Sequence, residues 1–179
     1  MHPTCLYSLT KISTQDLIEI YRRKHGLSAS VVYLFNHESE RRPPHFFTSK
    51  VVTALAGALA GARPETEVES LDFYCDWGGA SEYMEIMADI AEQVVDDDFV
   101  LGRGVTWLGR EFVETLFARH GLRAATHVRE RAQPRDAGPQ FTVSTEKLAR
   151  MIGRVPQEGV MEVCDRMLAV ELAAGERQT

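Results

Sequence analysis

A chain of 179 residues with 44% hydrophobic and 26% charged residues is long enough for one domain with a sizeable core and too apolar for disorder. Its 20 Lys and Arg against 26 Asp and Glu leave a formal charge of -6, so no broad phosphate-binding surface and no nucleic-acid partner is expected. Cys5, Cys75 and Cys164 stand far apart with no CxxC pair or secreted framework, which points to a reducing, cytoplasmic setting.

The chain opens with "LYSLTKISTQDLIEIYRRKHG", where Ile12, Leu17, Ile18 and Tyr21 keep helical spacing and Gly26 supplies a C-cap. No basic stretch followed by an apolar run precedes it, so a signal peptide is not expected. "SASVVYLFN" is apolar without alternation, the pattern of a buried parallel strand, and the paired prolines of "HESERRPPH" then demand a loop. "FFTSKVVTALAGALAGA" predicts a second helix closed by Pro64. Its apolar window of about a dozen residues is too short for a bilayer, so no membrane partner is expected. "TEVESLDFYCDW" predicts one strand, and Asp76, Trp77 and Gly78 a structural turn.

"GGASEYMEIMADIAEQVV" predicts an amphipathic helix with Ala80, Tyr83, Met84, Met87 and Ile90 on its inner stripe. "DDDFVLGRG" predicts a solvated acidic loop and a short strand, and "TWLGREFVETLFARHGL" a helix capped by Thr106 and Gly121. "ATHVRERAQPRDAGPQF" is extended and then loop. "STEKLARMIG" predicts a capping box and a helix, and "PQEGVMEVCDRMLAVELAAGE" the last helix. Helices alternating with short strands define an α/β class.

Tyr7 and Lys11 lie one helical turn apart and on one face, where an ammonium favours the phenolate form of its neighbour. "YSLTK" followed by "HGLSASVVYLFNHESERR", "FFTSK", "LDFYCDWGGASEYME", "DDDFVLGRG", "REFVETLFARHGL" and "STEKLARMIGRVP" resembles the extended short-chain dehydrogenase/reductase superfamily, and within it the GDP-mannose 4,6-dehydratases. The resemblance runs from Pro3 to about Leu172. Its most specific part is Asn-His-Glu-Ser followed at the family's separation by Asp-Trp-Gly.

The resemblance implies a truncated Rossmann-like fold. Residues 1–42 would carry the catalytic helix and following strand, and residues 43–179 a substrate-domain-like region. It implies catalysis by Tyr7 and Lys11, with the tyrosine exchanging a sugar hydroxyl proton and the lysine holding the nicotinamide ribose. It implies substrate contacts from Asn36, His37, Glu38 and Lys50, with Arg131 or Arg135 assisting, while His37 and Glu38 are also expected to tie down the loop itself. Where the family places arginines, this chain has Ser49, Cys75 and Gln133, which weakens the reading of a diphosphate. No metal set is expected from His37, His45 and Cys75, which hold no close-spaced ligand pair.

The glycine-rich dinucleotide loop of the family and its Thr/Glu pair have no counterpart in the sequence. No cofactor is therefore expected for the isolated chain, and NADP only if a partner chain supplies the dinucleotide-binding half. An apolar strand with bare edges needs cover, so a homo-oligomer, dimer or higher, or a completing chain is expected. Three functions stay open. One is a dehydratase-like protein of nucleotide-sugar or related small-molecule metabolism. Another is a cofactor-independent enzyme using Tyr7 as acid/base with His37, Glu38 or Asp76. The last is a non-catalytic binding or scaffold protein.

Overall fold

The computed structural model describes residues 5–62, 65–93, 97–131, 133 and 136–176. The first helix, α1 (Leu6–His25), is longer than any that follows. It is capped by Cys5, whose sulfur accepts from the Ser8 N–H while Ser8 Oγ accepts from the Cys5 N–H, a reciprocal box. At its other end Gly26 adopts a left-handed φ of 60° and closes the helix, as its position in the sequence predicts.

A single extended run then serves two sheets. β1 (Val32–Leu34) pairs in parallel with β5 (Phe99–Leu101), in register Val32 to Phe99. One residue later β2 (Asn36–Glu38) pairs in parallel with β4 (Tyr74–Gly79), in register Asn36 to Trp77. β6 (Thr106–Leu108) joins β4 in antiparallel fashion, and β3 (Thr66–Val68) pairs in parallel with β7 (Val128–Glu130). The fold is α/β with mostly parallel pairing, as the alternation of elements predicts.

Several expectations need correcting. "TEVESLDFYCDW" holds two strands, β3 and the start of β4, because Ser70 to Phe73 break the run. Asp76, Trp77 and Gly78 lie inside β4, not in a turn. Thr106 begins β6, and the helix α4 (Gly109–Ala118) starts only after it, with Leu108 at its N-cap. β1 is parallel but only half-buried, with Leu34 exposed. In α3 (Ala80–Gln93) the inner residues are Tyr83, Ile86 and Ile90, while Met84 faces out. The box expected at Thr145 makes no side-chain cap on α5 (Glu146–Ile152). Pro64 lies outside the described residues.

Two cores carry the stability. The larger joins α2 (Phe47–Leu59), α4 and α6 (Val160–Glu176) to β4, around an aromatic group of Phe47, Phe73, Trp77 and Phe112. The smaller joins α3 and α5 to β5 through Tyr83, Ile86, Ile90, Phe99, Leu101 and Leu148. α1 contributes to neither, since none of its residues is buried. Among the described residues no helix is long and apolar enough to cross a membrane.

Candidate functional site

The spacing of Tyr7 and Lys11 does place them together. The Lys11 ammonium lies 5.3 Å from the Tyr7 ring centroid, over the ring face. Both stand on exposed helix, Tyr7 at 71% accessibility. The helix is tied to the body near its far end. There Arg22 donates to Asp98 at 2.6 Å and to the Ala29 carbonyl at 2.7 Å. Asp98 also accepts the Val31 N–H at 3.1 Å. Asp98 is thus an anchor, not a solvated loop residue, and its neighbour Asp97 is paired with Lys147 at 2.5 Å. Fifteen residues separate Tyr7 from Arg22, which places the pair roughly 22 Å along the helix axis from that anchor.

The Asn36–His37–Glu38 group divides by depth. Asn36 is exposed where the β1–β2 run changes sheets, so its carboxamide is free to meet a ligand from solvent. His37 is half-buried, with Nδ1 3.0 Å from the Phe35 carbonyl and its ring 5.5 Å from that of Tyr83. Glu38 is only 2% exposed. It accepts from Thr48 Oγ1 at 2.8 Å and forms an ion pair with Arg42 at 2.9 Å. Burial pushes its carboxyl above the usual range, against the opposing pull of Thr48 and Arg42. Glu38 fastens the loop to α2, the loop-tying role expected of it beside substrate contact, with both partners inside the protein.

Asp76 is fully buried and accepts the backbone N–H groups of Arg103 and Gly104 at 2.9 and 2.7 Å. It shapes the loop after β5 and leaves no oxygen facing solvent, which removes it as an acid/base group. Ser49 is buried and donates to the Arg42 carbonyl at 3.1 Å. Cys75 is also buried, and burial pushes its thiol up to about 12. Two positions where arginine forks were expected thus hold small groups turned inward.

Lys50 opens onto a cleft of about 320 Å³ shared with His45, Phe47, Glu69, Ser70 and Phe73. Arg131 is outside its lining and bonds to the neighbouring β3 segment. Its backbone N–H donates to the Val68 carbonyl, and its guanidinium, 66% exposed, reaches Glu67 at 3.0 Å and Glu69 at 3.8 Å. Arg135 lies outside the described residues. A second cleft, of about 480 Å³, lies beside β1 and β5. Phe35, Val100, Phe141 and Val143 wall it, and the rings of Phe35 and Phe141 are 5.6 Å apart. The alternating "FTV" of 141–143 was the one sequence signal for this wall, and a loop reading passes over it. Tyr7 and Lys11 line neither cleft.

The strand–Gly–Gly–helix junction between β4 and α3 does not fit the pyrophosphate of a dinucleotide. A Cβ on Gly78 would strike the Tyr83 ring, and one on Gly79 would strike the Glu158 carboxylate. Glu82, in the first turn of α3, already accepts the N–H groups of Gln157 and Glu158 at 2.8 Å each. A phosphate there would find its space filled and two carboxylates beside it.

The family model described as GDP-mannose 4,6 dehydratase matches residues 1–154. GDP-mannose 4,6 dehydratase 1 of Arabidopsis thaliana is 28% identical over 180 residues, covering 99% of this chain and 50% of the relative. GDP-mannose 4,6-dehydratase of Sinorhizobium fredii is 36% identical over 121 residues, covering 68% of this chain and 34% of the relative. The chain thus spans half or less of these relatives' length. Among solved structures, RMD from Pseudomonas aeruginosa, complexed with NADPH, superposes with a TM-score of 0.82 at 16% identity. That likeness covers 97% of this chain and 57% of the other, and shows a shared fold.

Proposed function

Because the chain belongs to the GDP-mannose 4,6-dehydratase family, in the fold of NAD-dependent epimerases and dehydratases, we propose that it handles a nucleotide sugar and takes no NADP by itself. The observation that carries this reading is the contrast between a formed cleft at Lys50 and a catalytic-type pair on a helix without a buried residue. Lys50 meets the diphosphate as a point charge, and Arg131 turns from Glu69 to a phosphate oxygen. Asn36 donates its carboxamide N–H to the same ligand. Tyr7 becomes the acid/base for a sugar hydroxyl only when a further stretch of polypeptide packs on α1 and β1 and brings the dinucleotide with it.

That further stretch also accounts for the surface of α1, where Leu6, Leu9, Leu17, Ile20 and Tyr21 are all exposed. In these 179 residues alone, a second copy covers the same stripe. In an antiparallel pair centred on Gln15, Lys11 of one copy falls beside Glu19 of the other, so the charges agree with the pairing.

Calorimetric titration with GDP tests the cleft. GDP binds the parent chain, and Lys50→Ala raises Kd roughly tenfold or more, the worth of one charge-assisted phosphate contact. A parent chain that takes no GDP, or a Lys50→Ala variant that binds as well as the parent, overturns the reading.

A further inference from the structure

The segment from Ser39 to Phe46 joins β2 to α2 and delivers His45 to the wall of the Lys50 cleft. Inside the protein it is organised by Arg42. That residue pairs with Glu38, donates its N–H to the Ser39 carbonyl at 3.0 Å, offers its own carbonyl to Ser49, and lies 3.7 Å over the Phe46 ring. The His45 ring in turn lies 4.3 Å from that of Phe46, tilted by 35°. Outside, the segment carries one more attachment. Glu40 accepts from Nε of Arg166, a residue of α6 that is 126 positions away in sequence.

Arg166 reaches a second acid at the same time. Its two terminal nitrogens engage both oxygens of Glu158, with Nη2 to Oε2 at 3.3 Å. The Glu158 carboxylate lies against Gly79, the position paired in register with Glu38 across the β2–β4 ladder. Only a residue without a side chain leaves room for it there. One guanidinium thus ties together the loop that leaves β2, the end of β4 and the start of α6. Its three side chains are half-buried, with accessibilities of 32% for Glu40, 25% for Glu158 and 42% for Arg166. A fork held between two carboxylates loses less freedom than a lone surface pair.

We propose that Arg166 is a positioning residue: through Glu40 it holds the 39–46 loop so that His45 forms one wall of the nucleotide cleft. The inference rests on reading the Lys50 cleft as the nucleotide site. Its geometric part stands apart from that reading. The first hold on the Glu40 carboxyl is its own backbone N–H and the second is Arg166, and together they keep it below the usual carboxylate range.

Hydrogen–deuterium exchange on the whole chain separates this role from general stability. Glu40→Gln and Arg166→Gln each speed amide exchange across residues 39–46, by roughly three- to tenfold, and leave α4 unchanged. The imidazole proton resonance of His45, identified by its loss in His45→Gln, shifts in both variants although neither position touches that ring. Arg119→Gln is the control. It removes the 2.7 Å ion pair between Arg119, at the end of α4, and Asp165, the neighbour of Arg166 on α6, and leaves the loop and the His45 signal as they were. Unchanged loop exchange in both variants overturns the proposal, and so does a uniform rise across every segment. A GDP titration of the parent, run alongside, judges the nucleotide reading separately: a chain that ignores GDP but shows the localised exchange retains the tether and loses only the ligand.

Discussion

α4 and α1 are both amphipathic by sequence, yet they live in opposite surroundings. In α4 the apolar residues Phe112, Val113, Leu116 and Phe117 are all fully buried against α2, α6 and β4. In α1 the equivalent stripe meets solvent, and the helix is fixed near its end by Arg22 and Asp98. Hydrophobic periodicity specifies that a helix has an inner face. It does not specify which polypeptide covers that face. The body of this protein buries its own apolar faces, whereas the arm bearing Tyr7 and Lys11 leaves its stripe open, the face that the proposed reading assigns to a further polypeptide or a second copy.

Substitutions sharpen that contrast, the largest effect first. Trp77→Ala removes the centre of the aromatic group in the body and is expected to cost about 3–5 kcal/mol, read by denaturant unfolding. A loss below about 1 kcal/mol would show that the body is not the stable unit. Thr48→Val takes a hydrogen bond from the buried Glu38 and is expected to cost about 1–3 kcal/mol in the same assay.

Asp98 titrates the joint between the two regions. The hydrogen bond from Arg22 is the main hold on its carboxyl, which lies below the usual range. A depressed folded value means that the anchor is in full force above about pH 4, the unfolded value, and is lost as pH falls through the lower folded one. Exchange at residues 22–31 should therefore rise at acid pH before the body unfolds, and Asp98→Asn should show that faster exchange already at pH 7. Smallest on stability is Leu17→Ser on α1, expected within about 0.5 kcal/mol. It should nonetheless shift light scattering toward monomer, and a mass distribution identical to the parent's would remove α1 as the contact face.

Local signals made much of this legible. Gly26 ends α1 as its position predicts, and the unalternating "VVYLFN" does mark a parallel strand, though a half-buried one, while His37 and Glu38 extend it into β2 where a loop was expected. The misreadings share one cause, tertiary partners invisible along the chain. Thr106 has the chemistry of a helix cap, but Cys75 and Asp76 recruit its segment into an antiparallel ladder. Met84 fits the apolar stripe of α3, yet Ile86 takes the inner place because β5 and α5 approach from that side. At the site, Lys50 and Asn36 were legible only through the family resemblance, and the structure leaves Asn36 exposed and Lys50 half-buried at its cleft. The burial of Glu38 was not legible, because it depends on Thr48 and Arg42 closing over it.

Equilibrium dialysis of the purified 179-residue chain against NADPH tests the central claim most directly. The account predicts no saturable uptake at concentrations where GDP binds. Stoichiometric retention of NADPH by the chain alone would contradict it, and would mean that α1 and the β4–α3 junction rearrange to seat a dinucleotide.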